Sequence, residues 1–145
     1  MIHNILVVCT GNICRSPMAE GLLRSRLPGV SVFSAGTSAL SGAPAHELAV
    51  SVAAGAGVDI SAHRAQQLTT ALVRRADLVL TMDAVQKREI VERHPFSLGR
   101  VFRIDEQNGM DVPDPYMKPV NAFLNAYFLI ERGVNAWVPR IEALK

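Results

Sequence analysis

The chain has 145 residues, of which 49% are hydrophobic and 19% are charged, and its formal net charge is +2 at pH 7. This composition excludes a disordered chain, and the small charge excludes the basic footprint of a nucleic-acid-binding protein. Two cysteines are too few for a disulfide scaffold, and no apolar run reaches the about 18 residues of a membrane span. Because the first residues also lack the basic segment of a signal peptide, we expect one cytoplasmic domain over residues 1–145.

Predicted strands and helices alternate along the chain. Short apolar runs rich in β-branched residues predict buried strands over residues 2–8, 30–34, 78–80 and 100–103. Helices are predicted over residues 17–27, 46–54, 84–93 and 119–138, with a helical turn at 71–75. This order predicts an α/β fold, a single three-layer domain in which helices cover both faces of a four-stranded parallel sheet. Ligands are then expected at the loops that follow the strands.

The last predicted helix carries an apolar stripe. Its members recur at spacings of three and four residues: Val120, Phe123, Tyr127, Ile130, Val134 and Trp137. This periodicity predicts that the whole stripe faces the core. Pro139 lacks a backbone donor, so we expect it to end or kink the helix at about residue 138.

The segment after the first predicted strand has the features of a phosphate-binding loop. It consists of Cys9, Thr10, Gly11, Asn12, Ile13, Cys14, Arg15, Ser16 and Pro17. Gly11 and Asn12 tolerate left-handed backbone angles, which lets the loop curl and turn its amide N–H groups inward. We expect Ser16 to be the N-cap of the following helix, whose positive dipole end then points at the same centre. Arg15 adds a planar fork for two oxygens, so a tetrahedral dianion such as phosphate is the predicted ligand.

Cys9 lies at the base of this predicted loop. The helix N-terminus, the inward amides and Arg15 all favour its thiolate form, and the Ser16 hydroxyl is placed to donate a hydrogen bond to the sulfur. A thiolate beneath a bound phosphoryl group is an in-line nucleophile. The pattern of Cys, five residues, Arg and then Ser-Pro therefore predicts phosphoryl transfer through Cys9, with the equatorial oxygens held by Arg15 and the amides of residues 10–15.

Residues 7–20, with the sequence VVCTGNICRSPMAE, resemble the signature loop of the low molecular weight protein tyrosine phosphatases. Further segments follow in the order of that family: Ser34-Ala35-Gly36, His63-Arg64-Ala65, the run DLVLTMD at 77–83, and Asp114-Pro115-Tyr116. The likeness is greatest to bacterial members that are paired with tyrosine autokinases of capsule and exopolysaccharide export. It implies a monomeric enzyme that hydrolyses protein phosphotyrosine through a cysteinyl-phosphate, without a metal or other cofactor.

Displacement of a phenolate also requires a proton donor. From the residues alone, Asp111 and Asp114 are equal candidates, whereas Asp105 and Glu106 read as ordinary loop residues. The resemblance implies that the acid is Asp114. Asp83 is expected to cap the helix that begins at residue 84.

The pocket walls are less aromatic than is usual in the family. Tyr116, beside the implied acid, is placed to stack on a substrate ring. Many family members carry a second aromatic residue where this sequence has Met117, and another in the loop after the second strand, where Leu40 is the corresponding candidate. Asn12 is expected to brace the phosphate loop through Ser34.

The same residues bear on three alternative functions. An arsenate reductase of this fold needs cysteines after Cys14, and the sequence has none. Protein arginine phosphatases of related sequence carry Thr where this loop has Ile13, and an apolar side chain suits a phenyl ring better than a guanidinium. A silent phosphate-binding module has no need of Cys9, Arg15 and Asp114 together. The four histidines read as non-catalytic, and none has metal-ligand spacing.

Cys14 has two possible roles. A loop wrapped around one phosphate brings Cys9 and Cys14 close, and two cysteines can bridge when their Cα atoms lie within about 7 Å. The family resemblance implies that Cys14 traps an oxidised Cys9 as a disulfide before irreversible over-oxidation. The alternative is that Cys14 is a small apolar filler behind the loop.

Overall fold

The computed structural model describes residues 1–144. The strands are β1 (Asn4–Cys9), β2 (Ser31–Gly36), β3 (Leu78–Thr81) and β4 (Val101–Arg103). The helices are α1 (Arg15–Arg26), α2 (Glu47–Gly55), α3 (Thr70–Arg75), α4 (Ala84–Arg93) and α5 (Val120–Ala143). Short 3₁₀ turns occupy Pro95–Ser97 and Glu106–Asn108. None of the helices within residues 1–144 is both long and apolar enough to cross a membrane.

The strands form one parallel sheet in the order β2-β1-β3-β4. The predicted four-stranded α/β architecture is therefore confirmed. The register pairs Cys9 with Gly36 at the carboxyl ends of β1 and β2, and Thr81 with Arg103 at those of β3 and β4. The loops that follow all four strands consequently meet along one edge of the sheet.

Side chains of β1 point alternately to the two faces of the sheet and pack into two separate hydrophobic cores. Ile5 and Val7 pack into the layer formed with α1, α2 and α5, whereas Leu6 and Val8 pack into the layer beneath α3 and α4. All four side chains are fully buried, and each contributes about 1.5–3 kcal/mol through removal of its apolar surface from water. Because both faces of the central strand are covered, the end of β1 is held rigidly where the phosphate loop begins.

Helix α5 differs from its prediction at both ends. Phe123, Tyr127, Ile130, Val134 and Trp137 are buried as expected, and the stripe that they form is confirmed. The prediction for Val120 was wrong: it is the first helical residue, precedes the turn that packs on the core, and is 43% exposed.

The predicted end of α5 near Pro139 was also wrong, because the helix continues to Ala143. Pro139 lies on the exposed side, where water can satisfy the carbonyl oxygen that it leaves without a partner. Two residues later, Ile141 returns to the core with 1% exposure, and its burial offsets the cost of the proline.

Candidate active site

The phosphate loop turns its carbonyl groups outward. The carbonyl oxygens of Cys9, Thr10 and Gly11 accept hydrogen bonds of 3.0–3.1 Å from backbone amides in residues 37–40. Since the N–H and C=O of a trans peptide point in opposite directions, the adjoining amides of the loop face its centre. The amide of Asn12, 3.3 Å from the sulfur of Cys9, shows this directly.

Gly36 makes this packing possible. A Cβ atom at this position would collide with the carbonyl oxygen of Thr10 and would lie 3.1 Å from both Ala39 Cα and Asn12 Cβ. A side chain at the end of β2 would therefore push residues 37–40 away from the loop that they brace. The Ser-Ala-Gly segment noted in the sequence thus has a steric reason for its last residue.

Asn12 holds the loop from behind. Its backbone is left-handed, with φ of 59°, and its side chain is fully buried. The side-chain amide donates to the hydroxyls of Ser16 at 2.7 Å and Ser34 at 3.0 Å, so the expected brace through Ser34 is confirmed. The side-chain oxygen of Asn12 accepts a hydrogen bond from the backbone N–H of Gln66 at 2.9 Å. The hydroxyl of Ser34 in turn donates to the carboxylate of Glu20 at 2.5 Å.

Ser16 hydrogen-bonds the nucleophile instead of capping the helix. Its hydroxyl oxygen lies 2.9 Å from the sulfur of Cys9, as predicted. Because Asn12 already donates to that oxygen, the hydroxyl hydrogen is free to point at the sulfur. The prediction of Ser16 as N-cap was wrong: α1 begins at Arg15 with Cys14 as its N-cap, so Ser16 lies inside the first turn.

Arg15 is a buried cation between two carboxylates. The residue is 3% exposed, and its guanidinium donates to the carbonyl oxygen of Val112 at 2.8 Å. It forms ion pairs with Asp83 at 3.6 Å and Asp114 at 3.8 Å. Asp83 also accepts from the backbone as the N-cap of α4, so its expected capping role is confirmed alongside this second one. The fork is thereby fixed at the cavity before any ligand arrives.

One cavity gathers most of the predicted site residues. It measures about 180 Å³ and is lined by Cys9, Thr10, Gly11, Ile13, Cys14, Arg15, Ser38, Leu40, Asp114 and Tyr116. Asn12 and Ser16 do not line it, because their side chains lie behind the loop. A larger cavity of about 580 Å³, between α1, β2 and residues 57–66, is lined by neither Cys9 nor Arg15, so chemistry and not size selects the smaller one. Within residues 1–144, no three His, Cys, Asp or Glu side chains cluster closely enough to hold a metal ion.

The structure separates the two candidate acids. Asp114 lines the cavity. Its Oδ2 atom pairs with Arg15, and its Oδ1 atom accepts a hydrogen bond from the backbone N–H of Tyr116 at 3.1 Å. Asp111 lies outside the cavity, where it pairs with Arg103 at 3.1 Å. Asp105 is buried against other partners, so among these loop carboxylates only Asp114 faces both Arg15 and the cavity.

Cys14 is a protonated thiol. Burial raises its pKa to about 12, and the nearby negative charges of Cys9 and Asp114 act in the same direction against the opposing effect of Arg15. Cys14 does not compete with Cys9 as a nucleophile at neutral pH.

Several positioning residues were not found from the sequence. Gln66 and Glu20 support the brace at Asn12, and His63 donates to the carbonyl oxygen of Asn12 at 2.6 Å. Gln86 of α4 donates to the hydroxyl of Thr10 at 3.2 Å. Glu20 and His63 belong to segments that carry the family resemblance, which was a usable signal, whereas Gln66 and Gln86 sit in stretches without any motif.

The sequence and the fold were compared with those of known proteins. A family model described as low molecular weight phosphotyrosine protein phosphatase matches residues 4–145. This chain belongs to that family. A curated relative, the probable low molecular weight protein-tyrosine-phosphatase EpsP of Ralstonia nicotianae, is 62% identical over 144 residues, covering 99% of each chain.

Solved structures share this fold, and one of them is named an arginine phosphatase. Wzb of Vibrio vulnificus, solved in complex with benzylphosphonate, has a TM-score of 0.93 and 39% identity, covering 97% of this chain and 99% of its own. The YwlE arginine phosphatase of Geobacillus stearothermophilus has a TM-score of 0.90 and 34% identity, covering 97% and 94%. Because the two TM-scores are so close, the fold alone does not determine the substrate, and the residues that line the cavity must do so.

Proposed function

We propose that this protein hydrolyses protein phosphotyrosine through a cysteinyl-phosphate intermediate on Cys9. The observation that carries the proposal is one small cavity in which the Cys9 sulfur, the Arg15 guanidinium and the Asp114 carboxyl all take part. The sulfur is placed to accept hydrogen bonds from the hydroxyl of Ser16 at 2.9 Å and from the backbone amide of Asn12 at 3.3 Å. Nucleophile, oxyanion binder and acid are the parts that phosphoryl transfer requires.

In the first step, the Cys9 thiolate attacks phosphorus and the bond from phosphorus to the phenolic oxygen breaks. The inward amides of residues 10–15 and the fork of Arg15 bind the three equatorial oxygens. Protonated Asp114 gives its proton to the phenolic oxygen as that oxygen takes the bonding pair. Tyrosine leaves, and the phosphoryl group stays on sulfur.

In the second step, the Asp114 carboxylate takes a proton from a water molecule whose oxygen attacks phosphorus. The bond from sulfur to phosphorus breaks, and the electron pair returns to Cys9 as a thiolate. Ser16 and the amide of Asn12 stabilise that leaving anion with the contacts seen in the structure. Inorganic phosphate is released and Asp114 is again protonated.

The cavity walls favour an aryl leaving group over a guanidinium. Ile13, Leu40 and Tyr116 present apolar or aromatic surface above the phosphate loop. A phenyl ring buries against such walls, whereas the N–H groups of phosphoarginine would lose their hydrogen bonds to water there. The protein-tyrosine-phosphatase named EpsP, 62% identical, supports the same choice.

A substrate panel tests this proposal. We expect kcat/KM on a phosphotyrosyl peptide to exceed that on free phosphoarginine or a phosphoarginyl peptide by at least about 100-fold, the order of discrimination that an apolar pocket achieves against an added polar group. Ile13→Thr is the matched variant and should narrow that ratio. A preference for phosphoarginine would make the protein an arginine phosphatase, and binding of phosphate without turnover on any substrate would make it a non-catalytic module.

We further propose that the phosphoprotein is a bacterial tyrosine autokinase of capsule or exopolysaccharide export, or one of its substrates, and that the enzyme acts as a cytoplasmic monomer. The resemblance to bacterial members and the similarity to EpsP support this partner. Incubation with a purified, phosphorylated autokinase of this class should remove its phosphotyrosine. Persistence of the phosphotyrosine signal, equal to that left by Cys9→Ser, would contradict the assignment.

A further inference from the structure

Helix α5 carries a second apolar stripe that the core does not use. Val120, Leu124 and Phe128 recur every four residues and therefore lie on one side of the helix. They are 43%, 51% and 59% exposed, whereas the members of the core stripe are buried. Burial in this domain thus does not explain them.

This exposed side begins at the mouth of the catalytic cavity. Tyr116 lines the cavity, and the next residue, Met117, is 86% exposed. Met117 has φ of 63°, a left-handed conformation that costs a non-glycine residue about 1–2 kcal/mol. The fold therefore accepts strain at the residue that turns the chain from the cavity into α5. A hydrogen bond of 3.0 Å from the amide of Lys118 to the Pro115 carbonyl closes that turn.

Aromatic packing fixes the turn against the helix. The ring of His46 meets the ring of Tyr116 edge-on at 6.1 Å between centroids. The same ring lies 4.9 Å from that of Phe123, which is buried beneath the first turn of α5. The turn beside the cavity mouth is therefore packed on the first turn of α5, and exposed Met117 and Val120 follow Tyr116 within four residues.

The composition of this surface is that of an interface. Between Asp114 and Glu131 the only charged residue is Lys118, and the exposed polar residues of α5 up to Phe128 are Asn121 and Asn125. The apolar stretch ends after Phe128, where Glu131 and Arg132 follow by three and four residues. Depletion of charged residues around exposed apolar side chains marks the core of protein–protein contacts.

We propose that Val120, Leu124 and Phe128, the α5 apolar stripe, together with Met117 of the preceding turn, dock the phosphoprotein substrate by binding apolar side chains a few residues away from its phosphotyrosine. The inference rests on the proposed function. A cavity of about 180 Å³ admits the phosphorylated side chain, so the rest of the substrate must lie on the surface around its mouth.

Dimensions set the spacing of the docked residues. Val120 and Phe128 are separated by about 12 Å along the helix axis, from a rise of about 1.5 Å per residue. An extended substrate advances about 3.3 Å per residue, so roughly four of its residues cover this length. Alternate side chains of such a segment face the same way, so two of them meet the stripe.

The experiment is a position scan with synthetic phosphotyrosyl peptides. Leu replaces Ser at each of the six positions on either side of phosphotyrosine, and kcat and KM are measured for each peptide. Wild type should favour Leu at two alternating positions on one side by about tenfold each, through KM, since a buried leucine is worth about that much. The double variant Leu124→Ser, Phe128→Ser should lose this preference.

Two controls isolate the stripe. Turnover of p-nitrophenyl phosphate, too small to reach α5, reports whether the double variant is folded and active. Leu98→Ser alters a residue that is 75% exposed before β4, at the opposite end of the sheet, and should keep the full preference.

Absence of a Leu preference in the wild type, or its persistence in the double variant, overturns the proposal. So does a dimer in sedimentation that dissociates in the double variant while peptide selectivity stays the same, because the stripe is then a self-association surface. If wild type turns over no aryl phosphate, the proposed function fails instead. Docking is then still measured by equilibrium binding of the same peptides to wild type and to the double variant.

Discussion

The sulfur of Cys9 is held by a chain of hydrogen bonds that runs back to a carboxylate. Glu20 accepts from Ser34, Ser34 and Ser16 both accept from Asn12, and Ser16 is left to donate to the sulfur. Hydrogen bonds to a charged group are worth about 1.5–3 kcal/mol, and buried networks strengthen their members. This arrangement stabilises the anion before substrate binds and again when it is the leaving group.

The assignment of Asp114 as acid has a matched control in the same loop. Asp114→Asn should lower kcat on a phosphotyrosyl peptide by about 100- to 1000-fold, because the phenolate must then leave without a proton. Loss on p-nitrophenyl phosphate should be smaller, since its leaving group is more acidic. Asp111→Asn, outside the cavity, should change kcat little. An equal loss on both substrates from Asp114→Asn would remove it from the acid role and point to Asp111.

The second loop cysteine is expected to protect the first. Peroxide converts the Cys9 thiolate to a sulfenic acid and releases hydroxide; the Cys14 sulfur then displaces water and closes a disulfide. Burial is the main reason why the pKa of Cys14 is raised, the charge of a Cys9 thiolate adds to it, and a neutral sulfenic acid removes that added contribution. After peroxide treatment, wild type should recover activity with dithiothreitol, and Cys14→Ser should be active but recover poorly. Equal recovery would leave Cys14 as a packing residue.

At the scale of elements, an ion-pair network ties the loop after β4 to helix α4. Glu106 contacts Lys87 at 2.8 Å and Arg103 at 3.1 Å. Although burial alone would raise the pKa of Glu106, the hydrogen bonds from Lys87 and Arg103 outweigh it and lower that pKa. This network orders the start of the segment that ends in the catalytic acid.

The lowered pKa fixes the sign of a stability effect. A carboxyl whose pKa is lower in the folded state stabilises the protein above its unfolded pKa of about 4.3 and loses this contribution as pH falls through the folded value. Glu106→Gln should reduce the free energy of unfolding by about 1 kcal/mol at pH 7 and should be nearly neutral at pH values near 3. Urea titrations across this range measure both, with exposed Glu92→Gln as the control. A deficit that grows toward acid would contradict the account.

Helix α5 crosses the backbone after β4 at Gly133. A methyl group there would overlap the carbonyl oxygen of Ile104. In an open helix, Gly→Ala stabilises by about 1 kcal/mol, but overpacking against backbone costs about 1–3 kcal/mol. We expect Gly133→Ala to lower the melting temperature, and Gly55→Ala, where the new methyl meets open space, to leave it unchanged or raise it. A stabilised Gly133→Ala would show that this crossing is not close.

At the scale of the whole molecule, the active site is assembled by topology. The nucleophile loop follows β1, the bracing residues 37–40 follow β2, Asp83 follows β3, and Asp114 lies in the long segment after β4. A parallel sheet brings these four loops to one edge, which is where ligands of such folds bind. A change in any one loop is therefore felt at the same phosphate position.

The sequence allowed prediction of the parts that depend on local signals. Apolar runs and hydrophobic periodicity predicted the strands and most helices. The residue types and spacing of the loop 9–17 predicted phosphate binding and a cysteine nucleophile. The wrong predictions are those that tertiary packing decides. Ser16 hydrogen-bonds the sulfur of Cys9 and does not cap α1, and Val120 precedes the turn that packs on the core. Helix α5 continues past Pro139 because Ile141 is buried.

Partners distant in sequence were also out of reach of such reasoning. Val112 holds Arg15 through its backbone carbonyl, 97 residues away, which no side-chain identity could indicate. Gln66, 54 residues from Asn12 in the sequence, likewise acts through a main-chain group, because its backbone N–H donates to the side-chain oxygen of Asn12. Only the folded chain shows that the phosphate-binding fork and the loop brace are positioned by main-chain groups.

The central claim is that phosphorus becomes bonded to the sulfur of Cys9 during turnover. Rapid acid quenching of the Asp114→Asn variant with p-nitrophenyl phosphate tests it most directly when followed by proteolysis and mass spectrometry, because the acidic leaving group departs without the proton whereas the second step still lacks its base. The account predicts one phosphoryl group on the fragment that contains Cys9, retained in Cys14→Ser and absent in Cys9→Ser, which should also be inactive. A phosphoryl group on another residue, or continued hydrolysis by Cys9→Ser, would contradict it.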